Sequence, residues 1–396
     1  MPGVIHANVH NETMHRGPTG AYQRTAAAGE AVAAFVPKPL PPDPPLVIDA
    51  PRQARLERAL LACGRLDAIT ELLPEPSLFL YAYVRREAVV SSQIEGTQSS
   101  LSDLLLFELD AAPGAPFDDV IEVSNYVAAL EHGLQRLSEG FPLCNRLLCE
   151  VHAELLARGR GANKMPGQFR TSQNWIGGTR PGNAQFVPPP PTQVADAMAA
   201  LERFLHAPDA PGALLKAAMA HVQFETIHPF LDGNGRVGRL LIALVLHHEG
   251  VLRQPLLYLS LYFKQHRAEY YRLLDAVRQT GDWEAWLDFF LEGVTQTAHA
   301  AVDTAQRLLR LFEDDARHIQ TLGRAAANTL RIHQELRRRP LASIDRLAAA
   351  TGLSYPTVAR AIEALTRLGI VREITGRRRE RVFAYDAHMA ILNEGA

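Results

Sequence analysis

Residues 228–239, HPFLDGNGRVGR, concentrate side chains suited to handling phosphate. Gly233, Asn234 and Gly235 directly precede an apolar run of helical pattern over 237–246. A glycine-containing turn can expose successive backbone N–H groups, and the start of the following helix adds partial positive charge. Arg236 and Arg239 are three apart, so they share a face at that same end, where guanidinium forks fit phosphate oxygens. Asp232 is a hard oxygen donor of the kind that joins Mg²⁺ to nucleotide phosphates. His228 lies just ahead and is the side chain here whose ordinary pKa allows it to take a proton near neutrality. An anion cradle, a metal ligand and a general base together point to nucleotidyl or phosphoryl transfer. Two other phosphate loops fit poorly. Gly233, Gly235 and Gly238 spell GxGxxG, but that fingerprint needs a strand before it, and 214–226 reads as helix. A Walker A loop ends Gly-Lys-Ser/Thr, whereas Gly238 is followed by Arg239 and Leu240.

Helical spacing of apolar residues predicts the elements that must hold this stretch. It places helices over 52–73 (stopped by Pro74), 78–90, 118–137, 143–157, 193–205, 214–226, 260–278 and 283–296. The second of these leads into Ser91-Ser-Gln-Ile-Glu95-Gly96, where Ser91 and Glu95 share a face and Gly96 is a natural stop. Between 157 and 193 the periodicity breaks. Residues 167–176 and 183–187 read as two short strands around Gly177-Gly178, closed by Pro188–Pro191. Such a hairpin offers a strand edge that can hold a target segment by backbone pairing. Tyr262, Tyr270, Tyr271, Trp286 and Phe290 recur at helical spacing, so core packing is their default role.

Composition changes near residue 300. A helical stretch over 301–338 is followed by a short helix at 344–352, a helix at 355–368 capped by Ser354, and strand-like runs at 370–374 and 381–385. Residues 320–396 hold 13 arginines and lysines against 7 aspartates and glutamates, while the whole chain carries a net charge of −2. Helix, turn, helix and basic hairpin in this order resemble a winged helix-turn-helix domain. In a DNA complex Tyr355, Thr357 and Arg360 would open the recognition helix, with Arg377, Arg378 and Arg379 on phosphates or in the minor groove. The rival reading is a winged helix used for protein contacts, its arginines merely solvated.

The stretch HPFLDGNGRVGR resembles, without departure, the HPFx(D/E)GN(G/K)RxxR signature of the Fic domain family, and the similarity extends over most of 60–300. The resemblance implies transfer of AMP from ATP to Ser, Thr or Tyr hydroxyls of proteins, the protein itself included. His228 would be the base and Asp232 would hold Mg²⁺. Gly233, Asn234, Gly235 and Arg236 would cradle the α- and β-phosphates, Arg239 would hold the γ-phosphate, and Phe230 would anchor the loop. Ser91, Glu95 and Gly96 look like the family's (S/T)xxxE(G/N) inhibitory helix, placed N-terminally as in class II members. The hairpin around Trp175, Ile176, Gly177 and Gly178 resembles the family's flap. The expected fold is mainly α: an all-helical core with a short β-hairpin flap, and a C-terminal winged helix. A homodimer is implied on the same ground. Two other functions use the same residues, a DNA-binding regulator with a nucleotide-sensing core and an enzyme that removes AMP.

The chain has 396 residues, 47% of them hydrophobic, enough for two or three domains. The expected division is an extended proline-rich arm (1–50), an N-terminal helical region with the inhibitory helix (51–115), a catalytic core (116–298), and a linker helix with the winged helix (299–396). Cys63, Cys144 and Cys149 show no metal or disulfide spacing, which suits a reducing cytoplasm. No secretory signal is legible, and the longest aliphatic run, 240–246, is too short to span a bilayer.

Overall fold

The structure, a computed structural model, describes residues 16–72, 76–109 and 114–394. It opens on an antiparallel hairpin, β1 (Gly20–Ala27) and β2 (Glu30–Pro37). The two-residue turn holds Ala28 at φ 47° and Gly29 at φ 82°. Positive φ at both positions supplies the twist that a tight hairpin needs. This corrects the expectation of a wholly extended arm over 1–50: residues 20–27 and 30–37 are paired strand, and the proline run after them bends at residues 40, 41, 43 and 44. The first 15 residues of that arm, and Pro74, lie outside the described residues.

Helices then dominate. In order they are α1 (Ala50–Leu72), α2 (Pro76–Ile94), α3 (Leu101–Phe107), α4 (Phe117–Ser138), α5 (Asn145–Leu155), α6 (Pro191–Leu205), α7 (Ala213–Ile227), α8 (Asn234–His248), α9 (Ser260–Gln265), α10 (Arg267–Thr280) and α11 (Trp283–Gln320). The expected helices are all present, with α3 an addition. Its start carries a capping box, Ser100 and Asp103 bonding reciprocally across the first turn. The stretch 260–278 is broken at His266 into α9 and α10.

α7 is the centre of the core. Every residue from Leu214 to Ile227 is buried, as expected of a helix surrounded on all sides. α8 packs against it, and the Trp286 indole N–H donates to Ala218 O at 3.0 Å. Phe263, Tyr270, Trp286 and Phe290 are buried around this joint, whereas Tyr271 remains partly exposed. The proline run straps over the same helices: Gln223 donates to Lys38 O at 2.9 Å, and Glu284 accepts from Val47 N–H at 2.8 Å.

The chain does not break at the expected 298/299 division. α11 runs unbroken for 38 residues through it, because no proline interrupts 283–320 and its apolar face continues through Ala301, Ala305, Leu308 and Phe312. Beyond a single 3₁₀ turn (Gly323–Ala325) follow α12 (Ala326–Arg338), β3 (Leu341–Ser343), α13 (Ile344–Thr351), α14 (Tyr355–Arg367), β4 (Arg372–Glu373), β5 (Val382–Ala384) and α15 (Asp386–Asn393). The three strands form an antiparallel sheet in the order β3-β5-β4. This winged helix is seated on the rest: α12 and α15 both pack on α2 and on α11. α2 is thereby packed against α4 and α9 as well as against the winged helix. One continuous apolar core joins the helices to the winged helix, while the β1–β2 hairpin packs with Val187 in a smaller cluster of its own.

Candidate functional site

The site is built where α7 ends and α8 begins. His228 caps α7 in the left-handed region (φ 50°, ψ 60°), its N–H still bonded to Phe224 O at 2.8 Å. Pro229 cannot continue a helix, so the chain turns out. Gly233 (φ 76°) turns it back into α8, in a conformation cheap for glycine. Asn234 ties this loop at both ends of one residue, accepting from Phe230 N–H and donating to Phe230 O, each at 2.8 Å. Val237 N–H is the first to join the α8 ladder, on Gly233 O at 3.0 Å. The N–H groups of residues 234–236 therefore precede the ladder and face outward from the helix start.

Beneath the loop lies His152 of α5, which the sequence does not single out. Its ring is fully buried and stacks on Phe230, 3.7 Å between centroids and 7° from parallel. Nδ1 accepts from Gly167 N–H at 2.9 Å, so Nδ1 carries no proton and Nε2 donates to Asp232 O at 3.1 Å. Burial pushes this imidazole down to about 4, which keeps that tautomer neutral. Arg170, also buried, donates to His228 O at 2.9 Å and to Pro189 O at 2.6 Å. The imidazole of His228 is itself lowered to about 4, first by burial and then by Arg170, against an opposing pull from Glu95. It is neutral at pH 7 and able to accept a proton.

His228, Asp232, Gly233, Asn234, Gly235 and Arg236 line one cavity of about 230 Å³ with Glu95. Asp232 Oδ1 accepts from Gly233 N–H at 2.6 Å and lies 3.6 Å from Arg236. Arg236 is held on its other side by Glu122 at 3.3 Å, and Glu122 is bridged to Arg160 at 2.6 Å. Among the described residues no cluster of three or more metal-ligating side chains exists. Asp232 is a hard oxygen donor beside an anion loop, a position from which it could hold Mg²⁺ together with nucleotide and water oxygens.

The arginine next along is engaged. Arg239 donates from Nε to Ser91 Oγ at 2.8 Å, and from one terminal nitrogen to Ser91 O at 3.0 Å and Glu95 Oε1 at 2.7 Å. Burial would raise the Glu95 carboxyl, but the charge and hydrogen bond of Arg239 outweigh it and hold the group below the usual carboxylate range. Gly96 (φ 105°) ends α2 just after. Gly235 makes room for this contact: a Cβ there would come within 2.3 Å of Glu95 Oε1. Glu225, on the last turn of α7, is buried behind Gly238 with Oε1 unpartnered, and burial pushes it up to about 7. Neither Glu225 nor Glu122 has a local sequence signal.

The flap takes a smaller form than the two strands expected. Ile176 and Phe186 make one antiparallel bridge, with N–H···O bonds of 2.8 and 3.1 Å. Gly177 and Gly178 sit at φ 67° and 73° and a 3₁₀ turn (Pro181–Asn183) closes the loop. Positive φ and two flanking prolines leave no room for a longer ladder. The outer edge of its second arm is covered at Val187 by β2. Phe35 of β2 donates to Val187 O at 2.8 Å, and Trp175 packs with Val32 and Ala34. Asn174 links flap to loop, donating to Phe230 O at 3.0 Å.

The DNA candidates lie apart from this cavity. Tyr355, Thr357 and Arg360 occupy the first turns of α14, with Tyr355 and Arg360 exposed, and Arg377, Arg378 and Arg379 are exposed in the loop between β4 and β5.

Comparison with known proteins finds three matching family patterns along the chain. Residues 53–135 match the Fic/DOC family N-terminal pattern, 142–246 the Fic/DOC family pattern, and 327–372 a winged helix-turn-helix DNA-binding pattern. The chain is similar to Protein adenylyltransferase Fic of Drosophila ananassae, 28% identical over 208 residues, which is 52% of this chain and 39% of that protein. The corresponding protein of Culex quinquefasciatus is 29% identical over 209 residues, again 52% and 39%. The chain thus spans about two fifths of the length of these relatives. In fold it resembles a Fic family protein from Desulfovibrio desulfuricans G20 (TM-score 0.57, 22% identity, 86% of this chain and 97% of that one). A Fic domain containing signaling protein from Bacteroides thetaiotaomicron is also similar (TM-score 0.51, 18% identity, 64% and 97%).

Proposed function

We propose, from the premise that this chain carries Fic/DOC-family domains followed by a winged helix, that it is an autoinhibited protein adenylyltransferase using Mg-ATP. The observation that carries this reading is the cavity where a neutral His228, Asp232 and the start of α8 meet, with Glu95 on Arg239 at its rim.

A target Ser, Thr or Tyr hydroxyl oxygen attacks the α-phosphorus of ATP in line. The new O–P bond forms as the bond to the bridging oxygen breaks, and pyrophosphate leaves. His228 takes the hydroxyl proton, and its neutral state at pH 7 suits that role. The N–H groups at the start of α8, with Arg236, hold the α- and β-phosphate oxygens. Asp232 would hold Mg²⁺, which would supply positive charge to offset that of the phosphates. His152 fixes the backbone at Asp232, and Asn234 fixes it at Phe230, so the loop is set before substrate arrives. Arg239 is the γ-phosphate's partner, and Glu95 occupies it. ATP can then bind without presenting its α-phosphorus for attack.

Targets, self-modification, a homodimer and a cytoplasmic setting belong to the same proposal. The winged helix, exposed at Tyr355 and along Arg377–Arg379, supports DNA as a second partner. Among the described residues no helix is long and apolar enough to cross a membrane. The test is transfer of label from ATP radiolabelled at the α-phosphate, with Mg²⁺ and with lysate as target. Label on protein that vanishes with His228→Ala, while ATP binding persists, is the expected result. Label retained by His228→Ala would overturn the assignment. No label in any variant would move the reading to removal of AMP or to nucleotide sensing.

A further inference from the structure

Beside residues 83–90 of α2 lies a second cavity of about 360 Å³, walled by α2, α9 and α11 and closed by Glu394 just past α15. It sits where the catalytic core, the brake helix and the winged helix meet, and junctions of this kind are favoured ligand sites. Two guanidiniums, Arg86 and Arg307, flank it. Tyr83 and Tyr258 form a wall of paired rings, 5.5 Å between centroids. Two atoms of residues in this lining, Tyr258 Oη and Arg86 Nε, are buried without a hydrogen-bond partner.

The chain itself shows what the arginines hold. Both terminal nitrogens of Arg307 donate to the Glu394 carboxylate, and Arg86 donates to Glu394 O. A carboxylate therefore fits this fork. Asp303, 3.6 Å from Arg307, together with Glu394 and Glu87 in the same lining, leaves no charge surplus for a polyanion such as a nucleotide. The tyrosine wall favours a planar apolar body.

We propose that this cavity binds a small aromatic monocarboxylate, whose carboxyl group takes the place of the Glu394 side chain on Arg307. A route to the catalytic site exists within the same wall. Glu87 lines the cavity and accepts from Tyr126 Oη at 3.2 Å and from Ser260 Oγ. Glu87 and Tyr126 in turn line a small void with Arg239. Further along stand Ser91, on α2, and Glu95, just past its end. An occupant that shifts α2 or Glu87 therefore changes the pairing of Arg239, a consequence that rests on the autoinhibition proposed above. Binding itself does not.

The experiment is isothermal titration calorimetry of the full chain with para-hydroxybenzoate. Saturable binding is expected in the wild type. Glu394→Ala removes the internal competitor and should tighten binding roughly tenfold, while Arg307→Gln should weaken it roughly tenfold or more. Both positions are on the surface, so neither variant threatens folding. No saturable heat, or one affinity across all three proteins, would overturn the site. Label transfer at saturating para-hydroxybenzoate should differ from that without it, and an unchanged rate would overturn the coupling. Because calorimetry needs no turnover, failure of the site and failure of adenylyl transfer are told apart.

Discussion

Replacing Glu95 with glycine isolates the contact on which the proposed brake rests. The Arg239 side chain is 2% exposed and that of Glu95 37%, with 2.7 Å between their charged atoms. A charge-assisted hydrogen bond contributes about 1.5–3 kcal/mol when buried, and the exposure of Glu95 cuts this to about 1–2 kcal/mol. Releasing it should therefore raise the fraction of competent ATP complexes roughly 5- to 30-fold. The two bonds from Arg239 to Ser91 survive the change and keep the guanidinium in place. The assay is the initial rate of label transfer from α-labelled ATP, with ATP affinity measured alongside. Glu95→Gln, which keeps the length but loses the charge, should rise less than Glu95→Gly. A Glu95→Gly enzyme no faster than wild type, with ATP bound normally, would refute the reasoning. So would a rise in rate traceable wholly to tighter ATP binding.

Other outcomes follow from the same geometry. Because burial and Arg170 lower His228 to about 4, kcat/KM should be flat through neutral pH and fall only as that value is approached and the base becomes protonated. A limb near the ordinary imidazole value of about 6.5 in a pH–rate profile would contradict this. His152→Phe keeps the stack on Phe230 but strands Gly167 N–H and Asp232 O, so urea unfolding should show a loss of about 1–3 kcal/mol. The same variant should need more Mg²⁺ for half-maximal transfer, and an unchanged requirement would mean that Asp232 is positioned without His152. If the wing lies on DNA, replacing Arg377, Arg378 and Arg379 with alanine should flatten the dependence of log affinity on log salt, by about one in slope for each phosphate no longer neutralised. Electrophoretic mobility shifts at several salt concentrations read this directly, and an unchanged slope would place the wing away from the duplex.

The catalytic loop is legible in the sequence because its chemistry is contiguous: His228 to Arg239 fall within about three helical turns, so spacing alone brings them together. What supports the loop is not, because it comes from afar. His152 is 80 residues from Asp232, and Glu122 is 114 from Arg236. Neither carries a motif, since a buried histidine that accepts one N–H and donates to one carbonyl needs only a fold around it. Ser91 and Glu95 lie between: visible as a spacing, interpretable only beside the signature. The β1–β2 hairpin escapes a sequence reading because Ala28-Gly29 lacks the Asn-Gly or Asp-Gly pair that announces such a turn. The flap strands are shorter than their residue pattern suggests, since alternation there competes with Gly177, Gly178 and the nearby prolines. The 298/299 division follows a change in composition, which records a change of neighbours along α11 rather than a break in its backbone.

That unbroken helix has a mechanical meaning. At about 1.5 Å per residue, the 38 residues of α11 make a rod of roughly 57 Å, built into the catalytic core at one end and touching the winged helix at the other. A flexible tether would let the two ends sample each other's surroundings independently. A rod carries torque, so the heading of the wing and the mouth of the catalytic cavity are geared together. If the wing sits on a duplex, the cavity opens toward a defined sector beside it, and proteins standing elsewhere along that duplex are out of reach. Choice of substrate would then be partly a matter of bearing and distance, set by where the rod points.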